Sequence, residues 1–85
     1  MILSSYPSID LHGMDREYAI FKLKEFIDDC YKLKCEYIVI IHGIGTGILR
    51  NTVNSYLKKE KRVLEYKLDF MNPGVTLVRL RFDIP

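Results

Sequence analysis

Apolar and polar positions divide this chain into four extended runs and two helical stripes. Residues 8–12 form a short extended run, and the Tyr6-Pro7 step ahead of it disfavours helix. From Asp15 to about Leu33 the spacing changes. Ala19, Leu23, Phe26 or Ile27, Cys30 and Leu33 recur every three or four residues, with charged residues between them. That pattern predicts an amphipathic helix with one buried stripe, and Asp15 is placed to cap it. Residues 36–41 then give an unbroken, largely β-branched run, as expected of a strand covered on both faces. Glycines at 43, 45 and 47 turn the chain. Thr46 is expected to cap a second helix, from about Gly47 to Lys59, with Leu49, Val53, Tyr56 and Leu57 inward. Residues 63–70 alternate, with Leu64, Tyr66, Leu68 and Phe70 on one face and Glu65, Lys67 and Asp69 on the other. Asn72-Pro73-Gly74 signals a turn, and residues 75–82 make the last strand, with Thr76, Val78, Leu80 and Phe82 on one face.

The order β-α-β-α-β-β places this chain in the α/β class, as an α+β two-layer sandwich. Strand-helix-strand units pair in parallel through right-handed crossovers, whereas the tight turn near Gly74 makes an antiparallel hairpin. The expected architecture is a four-stranded mixed sheet with two helices packed on one face. The other face should be partly open, an expectation in tension with the continuous apolar run at 37–41. Residues 1–8 are read as an N-terminal arm and 9–85 as a single domain, because 85 residues leave no room for a second core.

Composition narrows the classes. Hydrophobic residues are 48% and charged residues 28% of the chain, ordinary values for a globular domain. The formal net charge of +2 is mildly basic, so the distribution of cations matters more than their sum. The N-terminus has neither the basic region nor the long apolar stretch of a signal peptide, and no run is long enough to span a bilayer. A cytoplasmic monomer with no membrane association is expected. Cys30 and Cys35 are too few and wrongly spaced for a disulfide framework or a zinc site. Cys30 falls on the apolar stripe, where a free thiol packs as a small hydrophobe.

The candidate chemistry lies in two His-Gly pairs, each at the end of an extended run. Ligands of open α/β sheets bind at the carboxyl ends of strands, so these positions suggest one polar site. In His42-Gly43-Ile44-Gly45-Thr46-Gly47, glycines let the backbone approach a ligand, and the free N–H groups of the following helix favour an anion such as phosphate. The same glycines also suit a tight strand–helix turn with no ligand. The loop lacks the Gly-Lys-Ser/Thr of a Walker A motif and the full dinucleotide fingerprint. Asp10 and His12, two residues apart, are expected on the same side of the first strand. They can serve as a proton-transfer pair, or Asp10 can hold the loop backbone. Two histidines and one aspartate are a poor metal set at this spacing, and no metal ligand is assigned. Arg50, on the first turn of the second helix, is a candidate phosphate contact. Lys58, Lys59, Lys61 and Arg62 form a basic cluster, and Arg79 and Arg81 share a strand face; all can track a phosphate backbone. Lys58 and Lys59 equally suit a solvated helix C-terminus. The six tyrosines could stack on bases, but most lie in apolar stripes, so core packing is expected of all but Tyr6 and Tyr18.

Taken together, these segments resemble the Smr (small MutS-related) domain family. Asp10-Leu11-His12-Gly13 resembles its L-D-L-H-G motif, with Ile9 in place of the usual leucine. His42-Gly43-Ile44-Gly45-Thr46-Gly47-Ile48-Leu49-Arg50 resembles H-G-x-G-x-G-x-L-R, and Gly74-Val75-Thr76-Leu77-Val78-Arg79-Leu80 its closing strand. The likeness runs over about residues 9–82. It implies the β-α-β-α-β-β sandwich, similar to the C-terminal domain of translation initiation factor three. It further implies binding to DNA or RNA, with endonuclease activity that nicks DNA or cleaves RNA, in some members at stalled ribosomes and in others as part of a MutS-like protein. Asp10 and His12 would then be catalytic. His42, Gly43, Gly45 and Gly47 would map onto the family's glycine loop, and with Thr46, Arg50, Lys58 and Lys59, read from their own placement, they are the expected phosphate-binding residues. A divalent cation such as magnesium is compatible with that chemistry. A free-standing member is expected, and Met1 accords with it. One departure stands out: the often glycine-rich segment before the last strand is here Phe70-Met71-Asn72-Pro73-Gly74, shorter and with one glycine. A non-catalytic module docking on ribosomal RNA or branched DNA is therefore the alternative expectation.

Overall fold

The computed structural model describes residues 6–83. Residues 1–5 of the expected arm lie outside the described residues. Six elements follow the expected order: β1 (Ser8–Asp10), α1 (Arg16–Lys32), β2 (Tyr37–Ile41), α2 (Ile48–Lys59), β3 (Val63–Leu68) and β4 (Val75–Leu80). The sheet is mixed, in the spatial order β1-β2-β4-β3. β1 pairs with β2 in parallel, while β2–β4 and β3–β4 are antiparallel. Pro7, expected in the arm, already belongs to the sheet, because its carbonyl accepts a hydrogen bond from the Val39 N–H at 2.9 Å.

α1 forms where expected because its stripe has a core to enter. Ala19, Leu23, Ile27 and Cys30 are buried against Ile38 and Ile40 of β2 and Val78 and Leu80 of β4. Val53 and Leu57 bring α2 into the same cluster. The Asp15 carboxylate caps α1 by accepting from the Tyr18 N–H at 2.9 Å. Leu33, expected on the stripe, is 75% exposed, because the helix ends at Lys32 and the chain turns away. That turn passes through Lys34 at φ +59. Both helices lie on one sheet face. The other carries a shallow groove of about 290 Å³, with Tyr6, Tyr37, Glu65, Lys67, Leu77 and Arg79 among its walls. Yet Ile38, Val39 and Ile40 are all buried. Val39 faces away from the helices but is flanked in register by Ser8 and Leu77, so its central position accounts for the continuous apolar run.

Two strand readings change. β1 stops at Asp10 rather than residue 12, although the Leu11 N–H still bonds to the Ile41 carbonyl at 2.7 Å. In β3 the pairing shifts between Val63 and Glu65, so Leu64 is the extra residue of a bulge and is 49% exposed. Val63 instead pairs with Leu80 and packs against the core. Phe70 and Phe82 lie beyond the strands expected to hold them.

A polar brace ties α1 to the α2–β3 turn. Arg62 donates to Asp28 at 2.9 Å and to both carboxylate oxygens of Glu60 at 2.9 and 3.0 Å, and the Tyr56 hydroxyl donates to Glu60 at 3.1 Å. The Arg62 guanidinium also lies over the Tyr31 ring, 5.4 Å from its centroid. Hydrogen bonds from Arg62 hold the Glu60 carboxyl down at about 2. A carboxylate depressed in the folded state stabilises fully above its unfolded value near 4.5, and that contribution is lost as pH falls through about 2. Glu60→Gln should therefore lower stability at neutral pH by about 2–3 kcal/mol. The deficit should shrink as pH falls from 4.5 towards 2, read as denaturant midpoints of both proteins across that range.

Candidate nucleic-acid site

The topology brings both His-Gly pairs to one end of the sheet. β1 and β2 are adjacent and parallel, so the segments that follow them emerge side by side. Contact occurs at Gly43, which has φ +82; a Cβ there would come within 3.1 Å of the His12 Cβ. The β3–β4 turn closes on the same point from the other side. The Gly74 carbonyl accepts from both the His42 and Gly43 N–H groups, each at 3.0 Å. Asn72 shapes this turn by accepting from the Gly74 N–H through its side chain at 3.0 Å.

Asp10 and His12 form a tight pair. One Asp10 carboxylate oxygen lies 2.6 Å from His12 Nδ1 and also accepts the His12 N–H at 3.1 Å. Strand alternation was expected to align them, but a side-chain-to-backbone turn does so, since His12 is outside β1. The hydrogen bond with the His12 side chain, and then that with its backbone, lowers the Asp10 carboxyl below its ordinary range. The carboxylate is therefore an acceptor, Nδ1 carries the proton, and Nε2 is left as the basic atom. Both side chains are solvent-accessible, at 68% for His12 and 52% for Asp10, so the pair can reach a ligand.

His42 sits differently. It is 3% exposed, and both ring nitrogens are occupied. Nδ1 donates to the Gly43 carbonyl at 2.9 Å, and the Thr76 hydroxyl donates to Nε2 at 2.8 Å. A carbonyl can only accept, which fixes the tautomer. The ring thus supports the glycine loop, and both of its nitrogens are engaged within the protein even though the residue borders the adjacent cleft. Thr76 is its buried partner from β4, a role that the sequence pattern, which marks it only as one of a strand face, does not reveal.

Beyond Gly43 the loop walls a cleft of about 400 Å³, lined by residues 42–50 and by Gly13, Met14, Asp15 and Arg16. Gly45 and Thr46 are thus in its wall. Thr46 is not the helix cap that was expected. Gly47 takes that position at φ +86, where the left-handed backbone excludes a threonine-like side chain, and no side chain caps α2. The Thr46 hydroxyl reaches the Ile48 N–H only at 3.4 Å. α2 therefore presents free N–H groups and its positive dipole end to the cleft. The Arg50 guanidinium folds back over Gly47, where a Cβ would meet it at 3.2 Å.

The cations fall into two sets. Arg50 and Arg16 line the cleft. Arg16 is not among the residues singled out from the sequence; its place just after the Asp15 cap, at the start of α1, is the signal that points to it. Lys58 and Lys59 sit at the far end of α2, about 16 Å from its start. Lys59 borders a second, open groove between the helices that shares Arg16 with the cleft. The remaining arginines are engaged elsewhere. Arg62 belongs to the brace, Arg79 pairs with Glu36 at 2.8 Å and Glu65 at 3.7 Å, and Arg81 pairs with Asp83 at 3.0 Å. Among the described residues, no group of three or more His, Cys, Asp or Glu side chains is placed to hold a metal ion.

Residues 9–81 match the Smr domain family model. The chain belongs to the Smr domain family. The Smr match extends to named relatives. The chain is 43% identical over 77 residues to the endonuclease MutS2 of Clostridium acetobutylicum and 40% identical over 78 residues to that of Clostridium perfringens. Those matches cover 87% and 88% of this chain but 10% of each MutS2 protein, so the chain spans about a tenth of their length. The Smr domain of Thermus thermophilus MutS2 superposes with a TM-score of 0.86 at 28% identity, over 88% of this chain and 98% of that one. YdaL, a stand-alone small MutS-related protein from Escherichia coli, gives 0.85 at 26% identity, over 94% and 72%. The Smr fold and its four-stranded mixed sheet are thus shared with both. No helix among the described residues is long and apolar enough to cross a membrane.

The loop's support should be measurable in this Smr domain. Thr76→Val removes the hydroxyl that satisfies a buried His42 nitrogen and should cost about 1–3 kcal/mol. The expected signature is a lowered thermal midpoint together with faster amide exchange at His42 and Gly43.

Proposed function

We propose that this domain binds a nucleic-acid strand across the glycine loop and cleaves it, as an RNA endonuclease or DNA nickase. The observation that carries this reading is the 2.6 Å Asp10–His12 pair, packed against Gly43 at the edge of an uncapped helix N-terminus. Asp10 holds the Nδ1 proton, so His12 Nε2 can take a proton from an attacking ribose hydroxyl or water. Free N–H groups of α2, with Arg16 and Arg50, offset the charge that builds on the phosphate. The endonuclease name of the MutS2 relatives accords with this chemistry. The strand would continue from the cleft along the groove between the helices towards Lys59, roughly five nucleotide steps of duplex. Structured RNA, ribosomal RNA included, and branched DNA are the substrates in question, and the compartment is the cytoplasm.

Labelled RNA and DNA, incubated with and without magnesium, test this reading. Asp10→Ala and His12→Ala should each reduce cleavage about 10²–10⁴-fold while leaving binding nearly intact. Equal cleavage by both variants and the unaltered protein would overturn the catalytic role. Arg16→Ala and Arg50→Ala should weaken binding and each lower the salt slope of affinity by about 1. Exposed Lys24, remote from the cleft, should tolerate alanine without effect on either.

The alternative is a binding module without catalysis. It is favoured by one observation: Asp10 and His12 flank the cleft and do not line it. Salt-dependent binding that needs Arg50, with no cleavage under any metal condition, would select it. In either case Phe70 and Met71, 92% and 81% exposed on the turn that grips Gly43, would contact bases beside the bound phosphate. Their joint replacement by serine should weaken binding to unpaired strands more than to duplex.

A further inference from the structure

The end of α1 is closed by a Schellman turn, and both of its contact positions are cysteine. The Cys35 N–H bonds to the Cys30 carbonyl at 3.0 Å, spanning six residues, and the Lys34 N–H bonds to the Tyr31 carbonyl at 3.1 Å inside it. Lys34 supplies the left-handed residue at φ +59 that such a turn requires. This geometry folds the residue after the turn back onto the last turn of the helix, where a hydrophobic pair normally seals the end. Here the pair is two thiols. Cys30 is 4% exposed in the core, and Cys35 is partly exposed and packs against the same core.

The two sulfurs differ in character. Burial, and then the neighbouring Cys35 thiol, pushes the Cys30 thiol up to about 12. Cys30 is therefore protected and unreactive by itself, whereas Cys35 is the one that solvent can reach.

We infer that Cys30 and Cys35 form a thiol–disulfide exchange site for low-molecular-weight disulfides, closing a disulfide across the end of α1. In the first step the Cys35 thiolate attacks one sulfur of a small disulfide. A Cys35 mixed disulfide forms, and one small thiolate leaves. In the second step Cys30 loses its proton to solvent base and attacks the Cys35 sulfur, releasing the second small thiolate. The protein dithiol is oxidised by two electrons, and one small disulfide is reduced to two thiols. The turn holds the two cysteines together before any oxidant arrives, so the second step is intramolecular, and proximity offsets the low thiolate fraction of Cys30. The product ties the C-terminus of α1 to the segment that enters β2.

The test uses the whole chain in glutathione buffers of graded oxidised-to-reduced ratio, read by intact mass and by alkylation of free thiols. The expected product is a monomer lighter by two hydrogens that has lost both alkylatable thiols and regains them with reductant. Cys30→Ala should stop the reaction at the first step and accumulate a Cys35–glutathione adduct. Cys35→Ser should leave Cys30 reduced, because the buried thiol has no accessible partner. A stable Cys35 adduct in the unaltered protein, a dimer joined through Cys35, or two thiols that survive fully oxidised buffer would each overturn the inference. Circular dichroism of both variants separates loss of exchange from loss of fold.

Discussion

One carbonyl holds the polar end of this domain together. The Gly74 oxygen accepts from both His42 and Gly43, so the last hairpin and the glycine loop share a single anchor. The anchor works only at close range, and Gly74 approaches the Gly43 backbone so nearly that an added Cβ would stand 3.2 Å from it. The buried His42 ring then locks the loop's first carbonyl to Thr76, one step further along β4 than Val75. Buried polar groups are tolerable only when paired, and here each ring nitrogen has its partner. The loop that faces solvent is therefore built on a fully satisfied polar core, and His12 rests against it.

The ion pairs divide the molecule by task. Arg62, Arg79 and Arg81 each meet a carboxylate and are spent on holding elements together. The Arg62 brace lies at the end of α2 remote from the glycine loop, so α2 is fixed by its C-terminus while its N-terminus faces the cleft. A net charge of +2 does not describe this arrangement, because Arg16 and Arg50 line the cleft with Asp15 while the other three arginines are paired elsewhere. Charge position, not charge excess, is what the proposed anion site rests on.

Periodicity made the element order, the sheet type and the α1 stripe legible in advance, because each rests on a repeated pattern that the core enforces. What escaped was set by single contacts. Leu33 fits the stripe by spacing, but the turn at Lys34 removes it from the helix. Leu64 alternates correctly, but a bulge hands its place to Val63. Thr46 is a good capping residue by chemistry, yet Gly47 takes the cap position. For the site, the residue types at Asp10, His12 and Gly43 were readable, and their adjacency followed from parallel pairing. The separate duties of the two histidines were not, since nothing in the sequence links His42 to Thr76 across 34 positions. Arg62 looked like part of a basic cluster because its partner Asp28 is equally distant in sequence.

The two helices of this fold begin in opposite ways. α1 carries its own cap in Asp15, and α2 carries none. A helix whose first turn lacks a partner is an unfinished piece of secondary structure. An anion bound there, as the proposed function has it, would complete it, so ligand and cap would become the same object. Under the proposed function, occupancy of the cleft would then be linked to the stability of α2, with the bound group taking the place that solvent holds at an uncapped helix end.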